Sequence, residues 1–121
     1  MAMAQPEDVA ATAELMARND ASFREANERI ESCVQSMDGR IDGLLPFLCE
    51  CSDVTCTEIV RMTAAEYEAV REDSVRFTTV PGHEGGESWA RVVDRNDRFA
   101  VVEKLGAAAD VATELDARRH T

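Results

Sequence analysis

Hydrophobic and polar positions in the first third of the chain recur with the period of an α-helix. Phe23, Ala26, Ile30, Cys33 and Met37 follow at intervals of three and four, and the same register runs back through Asn19, Met16, Thr12 and Val9. Side chains so spaced share one face of a helix. Arg24, Glu25, Glu28, Arg29 and Glu31 occupy the other faces. The pattern predicts an amphipathic helix over about residues 9–37, lying on the domain core. The alternative is a coiled-coil helix that makes a homodimer, although Asn19, Ala26 and Cys33 form a poor zipper seam. Asp38-Gly39 and Asp42-Gly43 are expected to end the helix.

Shorter periods follow. Phe47-Leu48 reads as a short strand running into a group of cysteines, and residues 57–62 as its return strand. Thr63-Ala64-Ala65-Glu66 is a capping box, which opens a helix reaching about residue 72. That helix is expected to turn Ala65, Ala69 and either Tyr67 or Val70 inward. Residues 76–80 are β-branched and aromatic and predict a strand that stops at Pro81-Gly82. Strands over 88–94 and 98–105 are joined by Arg95-Asn96-Asp97, residues with turn chemistry. Trp89 and Phe99 are expected to pack across that hairpin. Gly106 breaks the last strand, and residues 107–116 predict a short helix before a frayed tail.

The expected fold is therefore α+β: a long N-terminal amphipathic helix, a small mostly antiparallel sheet with a zinc knuckle, and two shorter helices. Residues 1–20 are expected to be a partly ordered extension, and 21–121 a single zinc-stapled domain. The core has few large groups to draw on, with four Phe, one Tyr and one Trp in 121 residues. Domains near this size often add a metal or disulfide to their hydrophobic burial.

Charge narrows the function classes. Asp and Glu number 24 against 13 Lys and Arg, a net charge of −11, which repels nucleic-acid phosphates and anionic lipid. No window approaches the roughly 20 apolar residues that span a bilayer. The first residues lack the basic and apolar regions of a secretory signal, so a cytoplasmic location with reduced thiols is expected. The cysteines then read as metal ligands or buried thiols before disulfides.

Cys49, Cys51 and Cys56 lie within eight residues of one another. Thiolates are soft ligands, and a structural zinc site takes four thiolate or imidazole groups in a tetrahedron. The Cys-x-Cys start places two thiols on one side of a strand, and Ser52-Asp53 supply turn chemistry that returns the third. For the fourth ligand His83 is preferred, because it follows a Pro-Gly turn at a strand end. Cys33 and His120 are the alternatives; the first sits on the helix seam and the second is penultimate. The spacing matches neither ferredoxin arrangement of an iron–sulfur cluster. Glu50 and Glu84 lie beside the ligands as conceivable general bases, but they read more simply as exposed acids. The metallopeptidase and deaminase patterns are absent, as are a phosphate-cradling glycine loop and a nucleophile triad. These features point to a non-enzymatic interaction or regulatory module with structural Zn2+ and a protein partner. A thiol-based redox or metal sensor is the alternative, followed by a small zinc hydrolase.

Four stretches carry a resemblance: Phe23-Arg24-Glu25-Ala26-Asn27-Glu28-Arg29-Ile30, Phe47-Leu48-Cys49-Glu50-Cys51, Thr63-Ala64-Ala65-Glu66-Tyr67-Glu68-Ala69-Val70-Arg71 and Pro81-Gly82-His83-Glu84. Together they resemble a group of small actinobacterial proteins of unknown function. The similarity covers about residues 23–104, ending in Val101-Val102-Glu103-Lys104. It implies a lineage and a single domain, with no activity attached.

Overall fold

The computed structural model describes residues 6–36, 43–51, 53, 55–85 and 88–120. Pro6 opens a 31-residue helix, α1 (Pro6–Ser36); proline fits the first turn, where its missing N–H has no helical partner. The expected breaks at Asp38-Gly39 and Asp42 lie outside the described residues. Next come strands β1 (Leu45–Leu48) and β2 (Ile59–Met62), helix α2 (Ala64–Arg71) and strand β3 (Arg76–Thr79). Strands β4 (Ala90–Arg95) and β5 (Ala100–Lys104), helix α3 (Gly106–Glu114) and a 3-10 turn (Ala117–His120) complete the chain. The α+β class holds, with two small antiparallel sheets: a β1–β2 hairpin and a three-stranded sheet in the order β3-β5-β4. None of the described helices is long and apolar enough to cross a membrane.

The β1–β2 hairpin buries one face. Phe47 pairs with Val60 and Leu45 with Met62 in the strand register, and all four are buried while Pro46, Ile59 and Arg61 face outward. This alternation follows from the period of two in a strand. Tyr67 of α2 stacks on Phe47 with ring centroids 4.3 Å apart. The capping box forms as expected: Thr63 Oγ1 accepts from Glu66 N at 3.1 Å, and Glu66 Oε1 accepts from Thr63 N at 2.8 Å. Thr63→Ala should therefore cost about 1 kcal/mol, read as a lower urea midpoint at unchanged slope.

Four expectations need correction. On α2 the buried residues are Tyr67, Val70 and Arg71, whereas Ala65 and Ala69 are exposed. The larger side chains win the interior because each removes more apolar area from water. Trp89 does not pack on Phe99 across the β4–β5 hairpin. It packs against Ala13, Ala17, Ala108 and Val111, between α1 and α3, whereas Phe99 joins the cluster of Phe47, Tyr67 and Val101. The tail is also not frayed through Arg118, whose guanidinium reaches Glu28 at 2.7 Å and Glu68 at 2.9 Å.

The fourth correction concerns the seat of α1. Phe23, Ala26 and Ile30 are only half-buried and Cys33 is exposed; Met37 lies outside the described residues. Among the α1 residues of described burial, the buried positions are Ala13, Ala17, Asp20, Ala21, Arg24, Asn27 and Glu31, a face rotated by about one residue step (~100°) from the expected seam. Charges can occupy it because other elements supply partners. Lys104 of β5 pairs with Asp20. Arg24 donates to the carbonyl oxygens of Ser74 and Ala112 and lies over the Phe77 ring, 4.6 Å from its centroid. The helix runs unbroken through residues 20–21.

Glu31 on this buried face lies near Glu28 of its own helix, Glu68 of α2 and Arg118 of the 3-10 turn. Burial, reinforced by a hydrogen bond shared with Glu68, pushes its carboxyl up to about 8. The folded chain thus keeps a proton that the unfolded chain, at the ordinary value of 4.5, has already released. Between those values the unfolded state binds fewer protons, so stability falls as pH rises through the window. Glu31→Gln keeps a donor toward Glu68 and removes the ionisation. Its melting temperature should exceed that of the wild type at pH 9 by more than at pH 4; an equal difference at both would exclude this titration.

Candidate metal centre

Two turns bring the predicted ligands together. Cys49 N donates to Glu58 O at 3.3 Å, continuing the β1–β2 pairing one step beyond the strands and fixing the entry to the cysteine loop. Asp53 shapes the reversal: its Oδ1 accepts from Thr55 N at 2.9 Å and Thr55 Oγ1 at 2.6 Å, while its carbonyl accepts from Cys56 N at 3.0 Å. Asp commonly makes such turns because its short side chain reaches backbone donors two residues on. Ser52, the other expected turn residue, lies outside the described residues.

His83 arrives from the end of β3. Its N–H donates to Val80 O at 2.9 Å, and Gly82 has φ 98°. With Pro81 at the second position, this is a type II turn, whose third residue must take positive φ and so favours glycine. Glu84 braces the turn, since Oε2 accepts from Gly82 N at 2.9 Å and Oε1 pairs with Arg95 of β4 at 2.7 Å.

The ligand atoms of Cys49, Cys51, Cys56 and His83 all lie within 4.8 Å of one another. Cys49 Sγ is 3.7 Å and Cys56 Sγ 3.5 Å from His83 Nδ1. A tetrahedral zinc with sulfur at about 2.3 Å and nitrogen at about 2.05 Å places those two ligands about 3.6 Å apart. These two separations match a tetrahedral site, and the four donors together could hold a thiophilic divalent ion. Cys49 and Cys51 are buried, and Cys56 and His83 half-buried. Burial pushes the Cys49 and Cys51 thiols up, so without metal they hold their protons and an incoming ion must displace them. Val80 N donates to Cys49 Sγ at 3.3 Å, a contact that favours the thiolate form. Cys33 stands exposed on α1, outside this cluster, and the His120 side chain lies outside the described residues.

The two nearby acids differ from expectation. Glu50 is fully buried. Its Oε2 accepts from Asn27 Nδ2 at 2.8 Å and its Oε1 from Thr78 N at 3.0 Å, while its own N–H donates to Thr78 O at 2.8 Å. Burial raises its carboxyl to about 7, against the pull of those donors. Asn27 completes the junction: Oδ1 accepts from Leu48 N at 2.7 Å, and Nδ2 also donates to Leu48 O at 2.9 Å. Glu84 is half-buried and engaged by the turn and Arg95. Neither acid is left free to act as a general base.

The sequence pattern assigns no role to Asn27 and reads Glu50 as an exposed acid, whereas it is buried. One signal was available: Ala13, Ala17, Asp20, Arg24, Asn27 and Glu31 also recur at intervals of four and three. Hydropathy alone assigns such a row to solvent. Comparison with protein families, with curated proteins and with solved structures finds no match to this chain.

Proposed function

We propose that the chain is a non-enzymatic zinc-binding interaction or regulatory module, with Cys49, Cys51, Cys56 and His83 as a structural Cys₃His site. The observation that carries this reading is the mutual approach of four soft or borderline donor atoms within 4.8 Å. Four protein ligands fill a tetrahedral ion and leave no open position for a substrate or water, which is the mark of structural sites. The commitment of Glu50 and Glu84 to hydrogen bonds and ion pairs weighs further against a hydrolase. For the partner, the exposed edge strand β4, with Val92 and Val93 accessible, is a better surface than α1, whose most buried face is used within the domain. Elemental analysis of the purified protein tests the reading: one zinc per chain is expected, and a folded, metal-free protein overturns it.

A second reading, a thiol-based redox sensor, is favoured by the half-buried position of Cys56. Hydrogen peroxide would oxidise the Cys56 thiolate to a sulfenic acid with release of hydroxide. The Cys51 thiolate would then displace a second hydroxide to form a disulfide, removing two ligands from the metal. This reading expects zinc release at peroxide levels that leave other structural zinc sites loaded, followed with a chromophoric chelator. Release only at levels that strip such sites generally would exclude it.

A further inference from the structure

We infer that metal occupancy of the cysteine–histidine cluster controls the docking of α1, with Glu50 and Asn27 as the residues that couple the two. The inference rests on the metal-site reading above and concerns how that site is regulated. Glu50 lies between two ligands, Cys49 and Cys51, yet its side chain points away from the cluster into the domain. There it meets Asn27, in the C-terminal third of α1, and the β3 backbone at Thr78. Asn27 in turn holds both backbone groups of Leu48, the residue before Cys49. The ligand loop and the helix thus share one buried hydrogen-bonded junction, and neither can shift by an ångström without breaking it, because hydrogen bonds weaken steeply with distance and angle.

The chemistry of the docked face makes α1 sensitive to that junction. Among its residues of described burial, the buried ones are three alanines and the polar Asp20, Arg24, Asn27 and Glu31, with no large aliphatic side chain in that set. Small apolar groups contribute little per residue on burial. Apart from half-buried Ile30, which packs on the Phe47 cluster, docking of this face depends on partners standing where these polar groups need them. Asp20 and Arg24 find theirs on β5, α3 and the segment before β3. Asn27 finds its partners at the entry to the ligand loop, where a bound metal would hold the chain. Phe77 and Val102 of the β3–β5 sheet form their own cluster with Ala112 of α3. Loss of metal would loosen Leu48 and Glu50, strip Asn27 of its partners and release α1 while the sheet persists.

Coupling of this kind is reciprocal, so α1 docking must strengthen metal binding by the same factor. Asn27, which touches no ligand atom, is then a positioning residue for the metal. Asn27→Ala should weaken zinc affinity by about 10–100-fold, as loss of outer-shell partners commonly does. Two measurements on the full chain test this. Zinc affinity of wild type and Asn27→Ala is compared by competition with a chromophoric chelator. Hydrogen exchange is compared between zinc-loaded and chelator-stripped wild type. Faster exchange over residues 20–33 on stripping, with β3 and β5 still protected, is the expected result. Unchanged exchange in α1 overturns the inference, and so does simultaneous loss of protection in α1, β3 and β5, which makes the metal a global staple. If Asn27→Ala fails to fold, the wild-type exchange decides alone. A wild type that binds no zinc removes the metal reading itself, an outcome distinct from zinc bound with α1 unmoved.

Discussion

Cys49→Ser is expected to lose its zinc on dialysis, whereas Cys33→Ser keeps it. Cys49 is the most constrained of the four candidate ligands: it is buried, follows β1 directly, and its sulfur accepts the Val80 N–H. A serine hydroxyl is a hard, neutral donor where a soft thiolate stood, and its shorter Cβ–O bond also retracts the donor atom. Structural zinc sites bind with about 10–16 kcal/mol near neutral pH. Removing one of four ligands forfeits about 3–4 kcal/mol of that, roughly 10²–10³ in affinity. Cys33 is exposed on α1 and outside the cluster, so the paired variant separates ligation from loss of any thiol. Elemental analysis after gel filtration reads both. Equal zinc in the two variants would remove Cys49 from the ligand set, and equal loss would mean that Cys33 acts on the site in a way the geometry does not contain.

Lys104→Met is expected to destabilise the fold by about 3–5 kcal/mol, because it leaves a buried carboxylate without its counter-ion. Lys104 and Asp20 form an ion pair with side chains only 3% and 1% exposed. The ammonium also lies 5.5 Å from the centre of the Phe77 ring. Methionine matches the aliphatic stem of lysine and isolates the charge effect from packing. The double variant Lys104→Met with Asp20→Leu should recover most of the loss, since an apolar pair of similar volume needs no compensation for lost hydration. Urea denaturation of the two single variants and the double forms the cycle. A single variant within about 1 kcal/mol of wild type would show that Asp20 takes up a proton or reaches water when its partner is removed.

Both variants probe features that differ in how far the chain announces them. The cysteine spacing and the Pro81-Gly82 turn before His83 were enough to nominate the four ligands, because a turn and a strand end act over a few residues. The same holds for the Thr63–Glu66 capping box and for the strands around Asn96. The mutual approach of His83 and the cysteine loop is a different matter: residues 49–56 and 83 meet where β3 and the residue after it bond to Glu50 and Cys49, through Thr78 and Val80.

The burial of Asp20, Arg24, Asn27, Glu31 and Glu50 was not legible in the same way. A charged side chain reads as solvent-facing until its partner is known, and here the partners are Lys104, the Ser74 and Ala112 carbonyls, Leu48 and Arg118, at sequence separations of 21 to 88 residues. Local sequence determined the helix, the hairpins, the caps and the identity of the metal-competent residues, since each depends on propensities and spacings within a single turn or strand. Only the tertiary structure decided which face of α1 is inside and how the ligand loop is tied to that helix. The free energy of burying a charge or amide depends on hydrogen-bonding partners that the fold alone brings within reach.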